Sequence, residues 1–217
     1  MYKVKGKPWA YSGAIDVSDC ATAKEVILKA GLNFNVAKCE LVGKMPIKLT
    51  GTDEELDRII KEQKEGAHVF GTDIYRKCDN AFATYRTDYN IPLGVVKSKY
   101  TIVQNNDAFN FFDYAIGKNS AIWQTAGFWG NGERIFVSAK LPNNILVKGD
   151  PVENYLVFTN THDGSGGVKI LFTPIRVICQ NTLNAAIRTS SNYVSFRHTT
   201  SAVSYTHLRA HETTLHL

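Results

Sequence analysis

Cysteine is scarce. Cys20, Cys39, Cys78 and Cys179 are the four in 217 residues, far apart and without a C-x-x-C pair. A zinc ribbon and a disulfide framework are thereby excluded, and buried free thiols are the expected state. No apolar run approaches the roughly 20 residues that cross a bilayer, so no membrane partner is expected. Met1 to Pro8 has the basic start of a signal peptide but no apolar core behind it, which points to the cytoplasm. There is no internal repeat and no low-complexity linker, and 217 residues suit one large domain or two small ones. The loop Gly164-Ser165-Gly166-Gly167 lacks the lysine of a nucleotide P-loop. His207 and His211 are four apart, but Leu208-Arg209-Ala210 between them lacks the glutamate of H-E-x-x-H and no third ligand is evident. No metal and no cofactor is expected.

What is present is ordinary for a globular protein: 44% hydrophobic and 21% charged residues. Lys and Arg number 25 against 20 Asp and Glu, for a net charge of +5. That excess permits an anionic partner without demanding one.

The chain is organised around Leu156 to Ile187. Leu156–Thr159 is apolar and β-prone. His162 to Gly167 is a polar, glycine-rich loop. Val168 to Cys179 returns to β-branched and aromatic residues, with Pro174 interrupting. Gln180-Asn181-Thr182 offers N-caps for a helix over Leu183–Arg188.

Upstream, Ala23, Ile27 and Ala30 have helical spacing, with Gly31 as a stop. Leu32 to Leu49 reads as short strands around Gly43 and Pro46. Thr52-Asp53-Glu54-Glu55 is a capping box for a helix to about Glu65, with Gly66 as its stop. Phe82–Tyr89 and Val95–Val103 are strand candidates. Asn105-Asn106-Asp107 caps a helix with Phe109, Phe112 and Ile116 on one face, ended by Gly117. Ala121–Trp129 and Glu133–Lys140 form a hairpin at Gly130-Asn131-Gly132. Lys148-Gly149-Asp150-Pro151 is a turn. The expected fold is α+β: one domain whose antiparallel sheet carries Phe82–Cys179, with helices packed on one side.

Candidate residues fall into two groups. Arg86, Lys97, Lys99, Tyr100 and Arg176 are basic or aromatic and suit nucleic-acid backbone contact and base stacking. Lys97 and Lys99, two apart on one strand, would share a face. His162, Asp163, Gly164, Arg176, Cys179 and Asn181 are candidates for a ligand site. Arg176 is suited to holding a phosphate or carboxylate, and Asn181 lies near a helix N-terminus. The competing structural reading pairs Arg176 with Asp88 or Asp163 and makes Asp163 a turn residue bonded two residues on. No residue is assigned as catalytic, because His, Asp and Ser adjacent in sequence seldom form a triad in space.

Tyr85-Arg86-Thr87-Asp88, Leu93-Gly94-Val95-Val96, Tyr100, Val103-Gln104-Asn105 and Thr125-Ala126-Gly127 resemble a phage/plasmid-like family, domain of unknown function 932. So do Asn160 to Ser165, Arg176 to Thr182 and Arg197-His198-Thr199. The resemblance covers most of Trp9 to Ala202. The family's usual opening, Trp-His-x-x-Gly, reads Trp9-Ala10-Tyr11-Ser12-Gly13 here, so no role for that histidine carries over. What the resemblance implies is a setting in phages, plasmids and other bacterial mobile elements, not a reaction.

Three functions are consistent with these observations. The first is a nucleic-acid-binding accessory protein of mobile-element DNA replication or recombination, with single-stranded nucleic acid as partner. The second is an enzyme or binding protein for a small anionic or nucleotide ligand, using the His162 loop and Arg176. The third is an interaction module directed at a host factor. Residues 1–202 are expected to form the domain, incomplete at its C-terminus and with apolar surface uncovered near Tyr193–Phe196. Residues 203–217 look like a translated sequencing adapter and are expected to carry no function.

Overall fold

The structure is a computed structural model that describes residues 13–46, 52–64, 68–70, 73–119, 121–190 and 192–199. In chain order its elements begin β1 (Ala14–Asp16), α1 (Ala23–Lys29), β2 (Val36–Pro46), α2 (Asp53–Lys64), β3 (His68–Phe70), β4 (Asp73–Arg86), β5 (Ile91–Lys97) and α3 (Asn105–Asn119). They continue with β6 (Ile122–Trp129), β7 (Arg134–Lys140), β8 (Ile145–Val147), β9 (Asp150–Val152), β10 (Tyr155–Thr161), β11 (Val168–Thr173), α4 (Gln180–Thr189) and β12 (Tyr193–Phe196).

All seven residues of β10 are buried. A strand covered on both faces reads as an apolar run rather than an alternation, which is why Leu156-Val157-Phe158 dominates the sequence. β10 lies inside a six-stranded sheet, order β1-β6-β7-β10-β11-β12, and every pairing in it is antiparallel. Successive side chains on a strand point to opposite faces. Leu156 and Phe158 accordingly pack with Val26 and Ile27 of α1 and with Phe109 and Phe112 of α3. Tyr155 and Val157 pack with Phe136, Leu171, and Leu183 and Ala186 of α4. Burying each of the large apolar side chains contributes about 1.5–3 kcal/mol.

The antiparallel α+β reading holds, with two corrections. Helices do not lie on one side alone: α1 and α3 cover one face and α4 the other, because both faces of β10 are apolar. The sheet is also divided. β4 belongs to a second sheet, where β2 pairs along its length and β3 and β5 share its other edge. Consecutive strands do pair, β4 with β5 and β6 with β7, but the sequence does not mark where one sheet ends and the next begins.

Other boundaries moved for local reasons. β2 is one eleven-residue strand, with Gly43 inside it facing Cys78 and Pro46 at its end, on a sheet edge where proline is tolerated. β4 begins at Asp73, well before Phe82. Asn80, at φ 56°, marks a bulge there that hid the strand. β5 ends at Lys97, which pairs with Ala81 beside that bulge. The Tyr100 N–H then donates to the Lys97 carbonyl, closing a turn. Lys99 is thus a turn residue, and the shared strand face for Lys97 and Lys99 does not exist. α3 runs through Gly117. Asp150 and Pro151 lie in β9, leaving Lys148-Gly149 as the turn. The Val168 strand stops at Thr173, before Pro174.

The four cysteines are free, as expected, but not buried: Cys39 is exposed and the others are half-buried. Tyr193 and Val194 on the edge strand β12 are 55% and 51% exposed. No helix among the described residues is long and apolar enough to cross a membrane. Residues 9–12, the end of the helix at Glu65-Gly66, and 203–217 lie outside the described residues.

Candidate functional site

The two sheets meet at the end of β10. Thr84 of β4 donates its hydroxyl to the His162 carbonyl at 2.6 Å, and the His162 N–H donates to the Glu133 carbonyl at 2.7 Å. Gly94 of β5 lies so close to Asp163 that a Cβ there would stand 2.5 Å from the Asp163 Cα. Only glycine permits that approach of two backbones.

Asn160 and His162, two residues apart, both reach the segment ahead of α3. The Asn160 amide donates to the Val103 carbonyl at 3.1 Å, and His162 Nε2 lies 2.9 Å from Asn105 Oδ1. Tyr100 in that segment donates its hydroxyl to the Thr161 carbonyl at 2.9 Å. The Tyr100 ring stacks on His198, centroids 4.4 Å apart. His198 in turn faces Thr101: their backbones pair, and His198 Nδ1 lies 3.1 Å from the Thr101 carbonyl oxygen. Asn105, Asn160, Thr161, His162 and His198 are each more than nine-tenths buried.

Burial sets the electrostatics here. It holds His162 down at about 3, with the charge of His198 acting in the same direction. His198 is also pushed down by burial, while the Thr101 and Thr161 carbonyls pull the other way. The Tyr100 phenol is pushed well up, by burial first and the Asp163 charge second. Both imidazoles are therefore neutral at pH 7.

Asp163 adopts the turn role: its Oδ1 accepts from the Ser165 N–H at 2.9 Å and the Ser165 hydroxyl at 2.7 Å. Gly164, at φ +79°, continues the turn beside Val95 and Val96. Gly167 packs against Phe196 and Arg197. The turn 97–101, the loop 163–167 and the segment 196–199 are thus neighbours. Lys97, Lys99 and Arg197 are exposed around them. Lys38 joins from β2, donating to the Ser98 and Tyr100 carbonyls at 3.2 and 2.7 Å.

Arg86 is placed differently from a surface contact residue. It is buried, with its guanidinium 3.9 Å from the Phe34 ring centre. Asp88 accepts from its Nε and Nη2 at 3.1 and 2.7 Å, and the Asn131 carbonyl from its Nη1 at 2.9 Å. Asp88 is therefore committed to Arg86 rather than to Arg176.

Arg176, Cys179 and Asn181 lie elsewhere. Thr173 pairs with Tyr155, at the opposite end of β10 from His162. That strand length is roughly 20 Å at about 3.4 Å per residue. Arg176 lies near Glu153 and Tyr155, whose titration it influences. Cys179 is the N-cap of α4 and Thr182 its capping-box partner, so the helix begins earlier than expected. Asn181 is exposed on that helix. His162, Arg176 and Asn181 do not converge. Among the described residues, no three His, Cys, Asp or Glu side chains are grouped to hold a metal ion.

Sequence reasoning read Asn105 as a cap and gave no role to Thr84, Asn160 or His198. The available signal was Asn160: an amide within an apolar strand needs buried partners.

No curated protein and no solved structure matches the chain. A family model described as "Domain of unknown function (DUF932)" matches residues 92–214. The match takes in Tyr100, Asn105, the whole loop after β10 and His198, and extends into the stretch 203–217. It covers more than half of the chain, which therefore belongs to the domain of unknown function 932 family.

Proposed function

We propose that the protein binds single-stranded nucleic acid, as an accessory protein of mobile-element DNA replication or recombination. The observation that carries this reading is the grouping of Lys38, Lys97, Lys99 and Arg197 around a glycine-rich loop. Cations beside exposed, compact backbone suit a phosphate chain. The net charge of +5 acts in the same direction. Arg86 and Arg176 are not part of the proposed surface.

Four phosphate contacts to a single strand give a slope of about −3 in log K against log salt. Fluorescence anisotropy with single- and double-stranded oligonucleotides, from low to physiological salt, tests the proposal. Lys97→Ala/Lys99→Ala should flatten the slope by about 1.4 and leave the melting temperature unchanged. Absence of binding at micromolar protein in low salt rejects the function, and an unchanged slope in the double variant rejects the surface.

A further inference from the structure

Residues directly opposite each other on paired strands share one face of the sheet. On β4 and β5, Tyr85 faces Pro92, Ala83 faces Val95 and Ala81 faces Lys97. Thr84 and Gly94, which alternate with them, meet His162 and Asp163 at the end of β10. The six residues therefore point away from the first sheet. Pro92, Val95 and Lys97 are exposed, Val95 by 56%, and Tyr85 and the two alanines are half-buried.

This outer face has a definite chemistry. It offers one aromatic ring, two small residues, two exposed apolar ones and a cation at one end. None of the six is acidic. Lys97 also belongs to the cationic grouping with Lys38, Lys99 and Arg197, so the apolar face continues into it. Tyr85 lies four residues along β4 from Ala81, the partner of Lys97, or about 14 Å at roughly 3.4 Å per residue. The other aromatics nearby are engaged: Tyr100 is stacked on His198, and Tyr89 leans towards the Arg86 guanidinium. A flat apolar surface joined to cations matches a ligand with exposed π-faces on an anionic chain, which is a single strand rather than a duplex with its bases paired. A second copy fits less well, because a two-fold interface would bring the same face, with Lys97 and no acid, against itself.

We propose that the outer face of β4 and β5 is a base-stacking platform, with Tyr85 as the stacking ring, Val95 and Pro92 as its apolar floor and Lys97 on the phosphate chain. This rests on the nucleic-acid reading above and adds where the bases lie.

Fluorescence anisotropy of the full chain tests it, with a labelled single-stranded oligonucleotide and the same strand made abasic. The parent should prefer the strand that has bases. Tyr85→Ala should weaken that strand about 5- to 150-fold, leave the abasic strand and the salt slope unchanged, and so erase the preference. Tyr85→Phe keeps the ring and should bind like the parent. Val95→Glu places an acid at an exposed position of the platform and should also weaken binding; it decides the matter if thermal melting shows that Tyr85→Ala does not fold. Equal affinity of the parent for both strands overturns the platform and leaves the cationic surface standing, as does parent-like affinity in a folded Tyr85→Ala. A parent that binds neither strand rejects the nucleic-acid reading and the platform with it. A dimer in sedimentation velocity that Val95→Glu dissociates also overturns the platform, because the face then belongs to a second copy.

Discussion

His162 and Asn105 are held in one orientation relative to each other: Nε2 meets Oδ1 at 2.9 Å, while the Asn105 amide nitrogen is tied to the carbonyls of Leu32 and Phe34. The pair joins the end of β10, the start of α3 and the chain leading into β2. A flip of the Asn105 amide would set its oxygen against the Leu32 and Phe34 carbonyls, so His162 donates from Nε2; burial keeps the ring neutral.

Burial of the neutral ring makes stability pH-dependent. The folded value of His162 lies at about 3, below the ordinary 6.5 of an exposed histidine. The unfolded chain therefore takes up a proton first as pH falls. The stabilisation is fully present above pH 6.5 and is lost progressively towards pH 3. Linkage gives a loss of about 2 kcal/mol between pH 7 and pH 5. The depressed His198 adds to it with the same sign. Urea denaturation at the two pH values measures it, and His162→Gln should shrink the difference. A pH-independent midpoint would show that the ring is solvated.

Arg86 acts on stability. Its guanidinium covers Phe34, and its forked bonds to Asp88 pull that carboxyl below its ordinary range. Arg86→Ala leaves the Asn131 carbonyl and Asp88 without their donor. The expected cost is about 1–3 kcal/mol, set by the Asn131 carbonyl left without its donor rather than by the ion pair, because Asp88 is exposed. Arg86→Lys should recover little, since an ammonium cannot reproduce the fork. Chemical denaturation of both variants checks this. The salt slope of oligonucleotide binding should not change in the lysine variant.

Gly94→Ala should separate the sheets locally. The added methyl meets the Asp163 backbone, which cannot rotate away as a side chain can. Overpacking of this kind costs about 1–3 kcal/mol. The Thr84 to His162 bond would stretch with it. Faster amide exchange at residues 162–165, with slow exchange retained in β7, is the expected pattern.

What was legible in the sequence was local. The hairpin at Gly130-Asn131-Gly132, the loop after β10, the Asp163 turn and the α2 start were set by turn and cap chemistry within a few residues, whereas α1 is capped by Thr22 rather than by the Val17-Ser18-Asp19 that the sequence offers. What was not legible depended on distant partners. β5 stopped at Lys97 because β4 bulges at Asn80. Arg86 looked like a surface cation because Phe34 and Asn131, which cover it, are far away in sequence. Arg176 and His162 sit close in sequence across a hairpin, yet the register of β10 with β11 places them at opposite ends of the sheet.

Cys179 should be a more reactive thiol than Cys20, although both are half-buried. Cys179 sits at the N-terminus of α4, where the Thr182 hydroxyl and backbone N–H face its sulfur and hold the thiol below its ordinary range. Burial and the neighbouring Asp19 push the Cys20 thiol the other way. The thiolate is the attacking species, so the thiol with the lower value reacts first near neutral pH. Iodoacetamide at pH 7.5, followed by peptide mapping, should label Cys179 several-fold faster than Cys20. Thr182→Val removes the hydroxyl while keeping the shape, and should slow Cys179 without affecting Cys20. Equal labelling of the two thiols in the parent protein would mean that the helix terminus does not stabilise the thiolate.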